Sequence, residues 1–599
     1  MDLHSKDLSE QKLNELRNIF PEIFEDGKIN YDKFKTILGE EIDEKSEHYS
    51  FNWSGKKECY KTIKAKTNAT LKVDSDESVP DGDNVFIEGD NLEVLKLLQN
   101  AYHKKVKMIY IDPPYNKDKD FVYKDTWGDS IHNYMMQTDQ LREEGYTSTK
   151  TSSTGRRHTN WLNMIYPRLW LSRNLLKDDG VIFVSIDDDE VANLRKVMDE
   201  IYGEENFVAN VIWEKKYSPQ NDAKWLSDNH DHILIYAKNK EIWRPNLLAR
   251  TEEQNNRYKN PDDDYRGNWK SSDLSVKTYS KSNDYPIENP IGEKINPPKG
   301  RCWSVSKEKY KQLLNDNRIS FGVSNDGVPR LKSFLSEVKQ GTVPLTIWKY
   351  IDVGHNQDAL RELKNLFDGN AYFDTPKPTK LLKRMLHLSS SDDDIILDFF
   401  AGSGTTAHAV MDLNAEDGGS RKYILVQLPE ATDEKSEAYK AGYKKISDIT
   451  KERIKRVIKK LEYKDGFKSY YLDNSNFQMF KELKKRPNDS LEAIEKMLKM
   501  SVFQENILTQ GAKELDIVYE VGLKNGFTLS AKTELLESGV YKFTKLYEDE
   551  RTFYFCFDKK IDNDIINAIP KETKLICYEK ALGDSVKLNL HSNLDLETL

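Results

Sequence analysis

The chain has 599 residues, which fits about four domains of ~150 residues or one large core with insertions. Hydrophobic residues at 37% and aromatic residues at 11% exclude a disordered chain. A net charge of −9, from 91 basic and 100 acidic residues, has the wrong sign for a protein that meets nucleic acid over its whole surface.

No run approaches the ~18 uncharged apolar residues of a spanning helix. The start, Met1 to Lys6, lacks the basic-then-apolar pattern of a signal peptide. Cys59, Cys302, Cys556 and Cys577 form no CxxC pair. A membrane span, a disulfide framework and a metal site are therefore not expected, and a soluble cytoplasmic protein is.

Residues 1–50 predict a small helical region. Leu13, Leu16, Phe20, Ile23 and Phe24 fall at helical spacing, with Pro21 interrupting, and Tyr31, Phe34 and Leu38 form a second run closed by Gly39. A packing or dimer-forming role is expected there. Residues 51–210 change character. Val85-Phe86-Ile87 reads as a strand, Gly89-Asp90-Asn91 as a turn, and Leu92 to Leu98 as a buried helix. Met108 to Ile111 is the next strand and stops at Asp112-Pro113-Pro114-Tyr115. The polar stretch Tyr146 to Thr159, with Arg156 and Arg157, predicts a mobile loop. A helix through Trp161, Ile165 and Leu175 follows, then the strand Val181 to Ile186. This alternation implies a parallel sheet covered on both faces. The acidic run Asp187 to Glu190 reads as a solvated helix start, and His158 as neither catalytic nor a metal ligand.

Residues 211–350 hold 9 of the 19 prolines and 6 of the 10 tryptophans. Their charge is +6, from 24 Lys+Arg against 18 Asp+Glu, while the remainder carries −15. That predicts an inserted, loop-rich domain, in which Trp213, Trp269 and Trp303 are expected to be core. The α/β pattern resumes over 351–435. A strand, Ile395 to Leu397, runs into Asp398-Phe399-Phe400-Ala401-Gly402-Ser403-Gly404-Thr405, and a helix and the strand Tyr423 to Val426 follow. Residues 436–599 open on a basic helix, Ile446 to Leu461, and include an apolar strand, Thr552 to Phe557. They are expected to form an assembly region.

Two of these motifs carry chemistry. Asp112-Pro113-Pro114-Tyr115 ends a buried strand, where open α/β sheets place ligands. A carboxylate, carbonyls freed by proline and an aromatic ring suit a flat heterocycle with an exocyclic amino group. Phe400-Ala401-Gly402-Ser403-Gly404 lies between a strand and a helix, where glycine permits close backbone approach and the helix start favours negative charge. It lacks the ending of a P-loop, and Ala407 stands where a dinucleotide fingerprint has its third glycine. An amino-bearing base beside a nucleotide-like cofactor points to methyl transfer from S-adenosylmethionine.

The chain resembles amino-methylating DNA methyltransferases of the beta class, in which the acceptor motif precedes the cofactor motif. The strings FIEGDNLEVLKLL, IYIDPPYN, FDTPKPTKLL, ILDFFAGSGTTAHAVM and ILVQLPE resemble the modification subunit of type III restriction–modification systems, over roughly residues 10–460. The resemblance implies a Rossmann-like methyltransferase core with an inserted target-recognition domain, acting on the N6 amino group of adenine in duplex DNA. It further implies a homodimer and a separate nuclease/helicase subunit. Asp112, Pro113, Pro114 and Tyr115 would hold and activate the base. Phe400, Gly402 and Gly404 would line the methionine part of the cofactor, supported by Asp398 and Thr405. Asp90 would lie near the cofactor adenine, and Asp112, Lys377 and Pro378 would also touch the cofactor. For the ribose, Gln427 stands where an acid is usual, and Glu430 follows, leaving two candidates. A non-catalytic recognition subunit, an amino-cytosine enzyme and a methyltransferase of RNA or protein amides are the alternatives.

Overall fold

A computed structural model describes residues 50–117, 154–219, 223–477 and 508–599, apart from positions 81, 340, 510 and 572, with parts of 8–37 and the pairs 141–142 and 145–146. Its centre is a ten-stranded sheet. In chain order its strands are β1 Ala69–Val73, β2 Asn84–Glu88, β3 Val106–Ile111, β4 Leu176–Ile186, β5 Phe207–Glu214, β6 His230–Ala237, β7 Ile347–Trp348, β8 Ile395–Asp398, β9 Lys422–Gln427 and β10 Phe467–Asn474. Their order across the sheet is β7-β5-β6-β4-β3-β8-β9-β2-β10-β1.

From β4 to β10 the pairing is parallel, with Ile111 opposite Val184, Leu397 opposite Ile109 and Gln427 opposite Glu88. The apolar runs seen in the sequence arise because both faces of this part are covered. Helices α1 Asn91–Ala101, α2 Thr154–Leu175, α3 Val191–Tyr202, α4 Asn356–Leu366, α5 Thr379–Ser389, α6 Thr405–Asp417 and α7 Ile446–Leu461 accompany it. One continuous core joins Ile87, Leu98, Ile109, Trp161, Ile182, Leu397 and Val426.

Three boundaries differ from expectation. The inserted compact unit is Pro245–Leu345, not 211–350. Residues 211–244 are mostly β5 and β6, an antiparallel extension of the main sheet, with His232 opposite Ile186. Their aromatic content is sheet core: Trp213 is fully buried and donates Nε1–H to the carbonyl of Gly354 at 2.9 Å. Second, the central sheet does not end near 435. β10 pairs in parallel with β2 and antiparallel with β1. Third, residues 154–159 are the first turns of α2 rather than loop. The rest of that stretch, between 147 and 153, lies outside the described residues.

The unit Pro245–Leu345 is rich in loops. It holds a three-stranded sheet of Trp269–Asp273, Arg330–Phe334 and Ile319–Ser320, and a small core of Leu274, Tyr285, Ile287, Trp303 and Phe321. Trp303 is buried there, as expected, whereas Trp269 is half-buried, with its Nε1–H on Asp262.

After β10, helix α8 Glu514–Lys524 packs against β1 and α1. A five-stranded sheet follows, β11 Lys532–Ser538, β12 Tyr541–Glu548, β13 Arg551–Cys556, β14 Lys574–Cys577 and β15 Asp595–Thr598, in sequential order. At the N-terminus a helix spans Leu8–Ile19 and a short 3-10 turn, Pro21–Ile23, follows where the proline interrupts it. Leu38 of the second run lies outside the described residues. The four cysteines are free and buried, and among the described residues no helix is long and apolar enough to cross a membrane.

Candidate active site

β3 and β8 are neighbours, so the acceptor motif and the glycine loop leave the same edge of the sheet side by side. Asp112 lies just past β3. One of its oxygens, Oδ2, forms an ion pair with Nζ of Lys377. The other, Oδ1, is buried without a hydrogen-bond partner among the described residues. An unpaired buried carboxylate oxygen is costly, so its presence marks a place for a donor. The Pro114 carbonyl is already taken, by Nε1–H of Trp161 at 2.7 Å, which leaves Pro113 as the carbonyl to receive a substrate N–H. Lys377 Nζ stands 5.2 Å from the centre of the Tyr115 ring. The Tyr115 hydroxyl is 3.5 Å from Oδ2 of Asp231, at the edge of hydrogen-bond range. Burial, with Asp112 alongside, pushes the Tyr115 phenol well above its ordinary value, so it stays neutral.

Asp231 was not singled out in the sequence. It is buried near the start of β6 and binds Lys215 Nζ at 2.7 Å, which also reaches Asp228 at 2.9 Å. Burial raises its carboxyl; Lys377 and Lys215 oppose that, and Asp112 adds to it. A signal was available, since Asp231 is a charged residue at a buried position of an apolar strand. Asn116 closes the corner. It is buried with φ 63 and bonds Glu190 and the carbonyl of Arg157. Glu190 is fully buried and also receives His158 Nδ1. The acidic run is therefore not uniformly solvated: Asp188 and Asp189 are exposed, while Asp187 and Glu190 are interior. Asp188, His230 and His232 also bring ligand atoms within 4.8 Å of one another, a grouping not expected from spacing. A hydrogen bond of 2.9 Å between His232 Nε2 and Asp188 accounts for the closest approach.

The glycine loop is held differently. Gly402 and Gly404 have φ values of 52 and 79, a conformation that side chains disfavour. A Cβ on Gly404 would lie 3.0 Å from Cγ2 of Thr450. Gln427 Oε1 accepts the Gly402 N–H at 2.7 Å, and Thr450 Oγ1 donates to the Gly402 carbonyl at 2.6 Å. Arg453, fully buried, donates to Oγ of Ser403 at 2.9 Å and Oγ1 of Thr405 at 2.8 Å; burial lowers its guanidinium to about 10. Asp398 accepts the Phe400 N–H at 3.0 Å and the Thr406 hydroxyl at 2.5 Å. Burial raises its carboxyl to about 7, against those two hydrogen bonds, and Asp112 adds to the rise. Thr450 and Arg453 lie on α7, a helix read as part of an assembly region. The signal was phase: Arg453 occupies the apolar stripe of Ile446, Ile449 and Val457.

Two residues expected at the cofactor are committed to the scaffold. Asp90 caps α1 through Leu92 N and Glu93 N and pairs with Arg168 at 3.1 Å. Gln427 is buried and braces the loop. Pro378 precedes α5 as its cap, which aims Lys377 at Asp112 rather than at the glycine loop. The braced glycine loop and the unpaired Asp112 oxygen fit a cofactor and a base side by side.

A family model described as DNA methylase matches residues 106–434. The StyLTI Mod subunit of a type III restriction–modification enzyme, from Salmonella typhimurium, is 38% identical over 76% of this chain and 73% of its own. The EcoPI Mod subunit of Escherichia phage P1 is 34% identical over 76% and 75%. The EcoP15I Mod subunit of Escherichia coli is 33% identical over 78% of each. Fold, site and relatives thus define a DNA methyltransferase. The chain belongs to the modification subunits of type III restriction–modification enzymes, which are S-adenosylmethionine-dependent adenine methyltransferases.

Proposed function

We propose that Asp112, Pro113, Pro114 and Tyr115 receive an adenine turned out of duplex DNA, and that the edge of β3 and β8 is where its N6 amino group is methylated. The observation that carries this is the buried, unpaired Oδ1 of Asp112 beside the braced glycine loop. Oδ1 and the Pro113 carbonyl accept the two N6–H bonds, and this draws the nitrogen lone pair out of ring conjugation. Lys377 holds Oδ2, so Asp112 presents one oxygen in one orientation. Tyr115 stacks on the base and offsets part of the few kcal/mol that flipping costs. S-adenosylmethionine, when bound, supplies an electrophilic methyl carbon. The amino nitrogen would gain that carbon as the carbon–sulfur bond breaks, leaving a neutral thioether, and would lose one proton, which Asp112 is placed to take. Phe400, Gly402 and Gly404 line the cofactor's place, with Asp398 and Thr405 behind them. With Gln427 committed to the loop, Glu430 is the acid for the ribose.

Sequence choice belongs to the unit Pro245–Leu345. Its Arg266, Arg318 and Lys332 are spent on internal ion pairs. Lys277, Lys281, Lys294 and Lys299 are exposed and free for phosphate contact. The chain acts as a homodimer and serves a separate nuclease subunit. Labelled methyl transfer to duplex DNA tests the catalytic assignment: incorporation equal to that of Asp112→Ala would overturn it. A monomer by light scattering at micromolar concentration would remove the dimer.

A further inference from the structure

We infer that Trp225 and Leu226 are the wedge that enters the base stack when the target adenine leaves it. This rests on the flipping step proposed above. Three observations support it, the first of which is placement. β4 runs parallel to β3, and β6 begins where β4 ends, with His232 opposite Ile186. The described residues between β5 and β6, 215–219 and 223–229, therefore emerge at the same edge as Asp112, two strands away. Next is attachment. Asp228, three residues after Trp225, binds Lys215; Lys215 binds Asp231; and Asp231 lies against Tyr115 of the acceptor pocket. A load on this loop is thus passed through two ion pairs to the ring that stacks on the base.

Exposure is the third. Trp225 is 84% and Leu226 92% exposed. Scattered single apolar side chains on a surface need no explanation, but a tryptophan and a leucine side by side, both turned outward beside a catalytic corner, do. Lys224 Nζ lies 5.4 Å over the Trp225 ring, and Tyr217, also exposed, stands 5.5 Å from Tyr350.

The partner that fits is the interior of a base-pair stack. Extruding one nucleotide leaves a flat gap between apolar faces. An indole matches its thickness, and a leucine fills the remaining edge. Apolar side chains wedged between base steps are a general means of unstacking duplex DNA. Lys224 then meets the backbone phosphates flanking the gap. The acids nearby, Asp228 and Asp231, share Lys215, which offsets one of their two charges.

The test uses the full chain, S-adenosylmethionine and duplexes carrying the modified site, located beforehand by sequencing methylated adenines in DNA treated with the wild-type protein. On a fully paired duplex, Trp225→Ala is expected to lower kcat/KM by about ten- to a hundredfold, the worth of one base–aromatic stack. It should also reduce the fluorescence rise of 2-aminopurine placed at the target. On a duplex whose target adenine faces an abasic site, where little flipping energy is needed, the same variant should stay within about twofold of wild type. Trp225→Phe should restore most of the rate on the paired duplex. An equal loss on both duplexes would make Trp225 a general DNA contact or a structural residue and overturn the inference. So would no loss on either. If the wild-type protein transfers no methyl group even to the abasic-site duplex, the underlying reading of the pocket fails instead.

Discussion

The acceptor corner and the glycine loop stand on adjacent strands and are secured by opposite means. Around Asp112 the fastening is ionic and drawn from distant segments: Lys377 before α5, Asp231 on β6, Lys215 after β5. Around Gly402 it is a set of short hydrogen bonds: Gln427 accepts the Gly402 N–H, Thr450 donates to the Gly402 carbonyl, and Arg453 donates to the Thr405 hydroxyl. The first arrangement holds charge balance and leaves one carboxylate oxygen open. The second holds a backbone shape that side chains disfavour. Damage to the first should change chemistry without changing cofactor affinity, and damage to the second should do the reverse.

The largest effect belongs to the acceptor side. Asp112→Ala should lower methyl transfer by about 10²- to 10⁴-fold, while calorimetry finds S-adenosylmethionine affinity within about twofold of wild type. A parallel loss of cofactor affinity would merge the two regions.

Next comes Asp398, which lies between them. Its folded carboxyl sits at about 7, above its ordinary value of 3.8. The native state thus keeps a proton that the unfolded chain releases, and this contribution is full below the unfolded value and is lost as pH rises through about 7. Wild type should lose about 2 kcal/mol more than Asp398→Asn between pH 5 and pH 7 in urea unfolding. Equal pH slopes would show that Asp398 is ionised throughout.

On the cofactor side, Gly404→Ala forces a side chain into a left-handed conformation, at about 1–2 kcal/mol. It should weaken S-adenosylmethionine binding by about tenfold, with DNA affinity unchanged. The smallest effect is expected from Thr450→Val, which removes one hydrogen bond to the Gly402 carbonyl and should cost about 1 kcal/mol of stability and a few-fold in cofactor Kd.

The central sheet was legible because its strands are buried on both faces and therefore read as unbroken apolar runs. The two motifs were legible because they sit where such runs stop. What escaped detection was long-range. Asp231 lies 116 positions from Tyr115, and Arg453 lies 50 and 48 from Ser403 and Thr405; only their wrong polarity for their phase hinted at them. The edges of the insertion were misplaced because β5 carries Trp213 and lysines flank both β5 and β6, like the loop-rich unit that follows. Asp90 and Gln427 were assigned by position in a motif, but their oxygens are engaged with the scaffold.

The joining of β10 to β2 and β1 has a consequence for synthesis. Asp112 is made early, but Lys377 follows it by 265 positions, and the loop's braces, Thr450 and Arg453, come later still. The strand Phe467–Asn474, which lies between β2 and β1, is needed to finish the sheet. A chain still emerging from the ribosome has its acceptor motif complete and nothing to hold it in register. Contacts of such long separation also form slowly. Modification capacity is therefore expected only after residue 474 has been made, and a product terminated before that strand is expected to carry no partial activity.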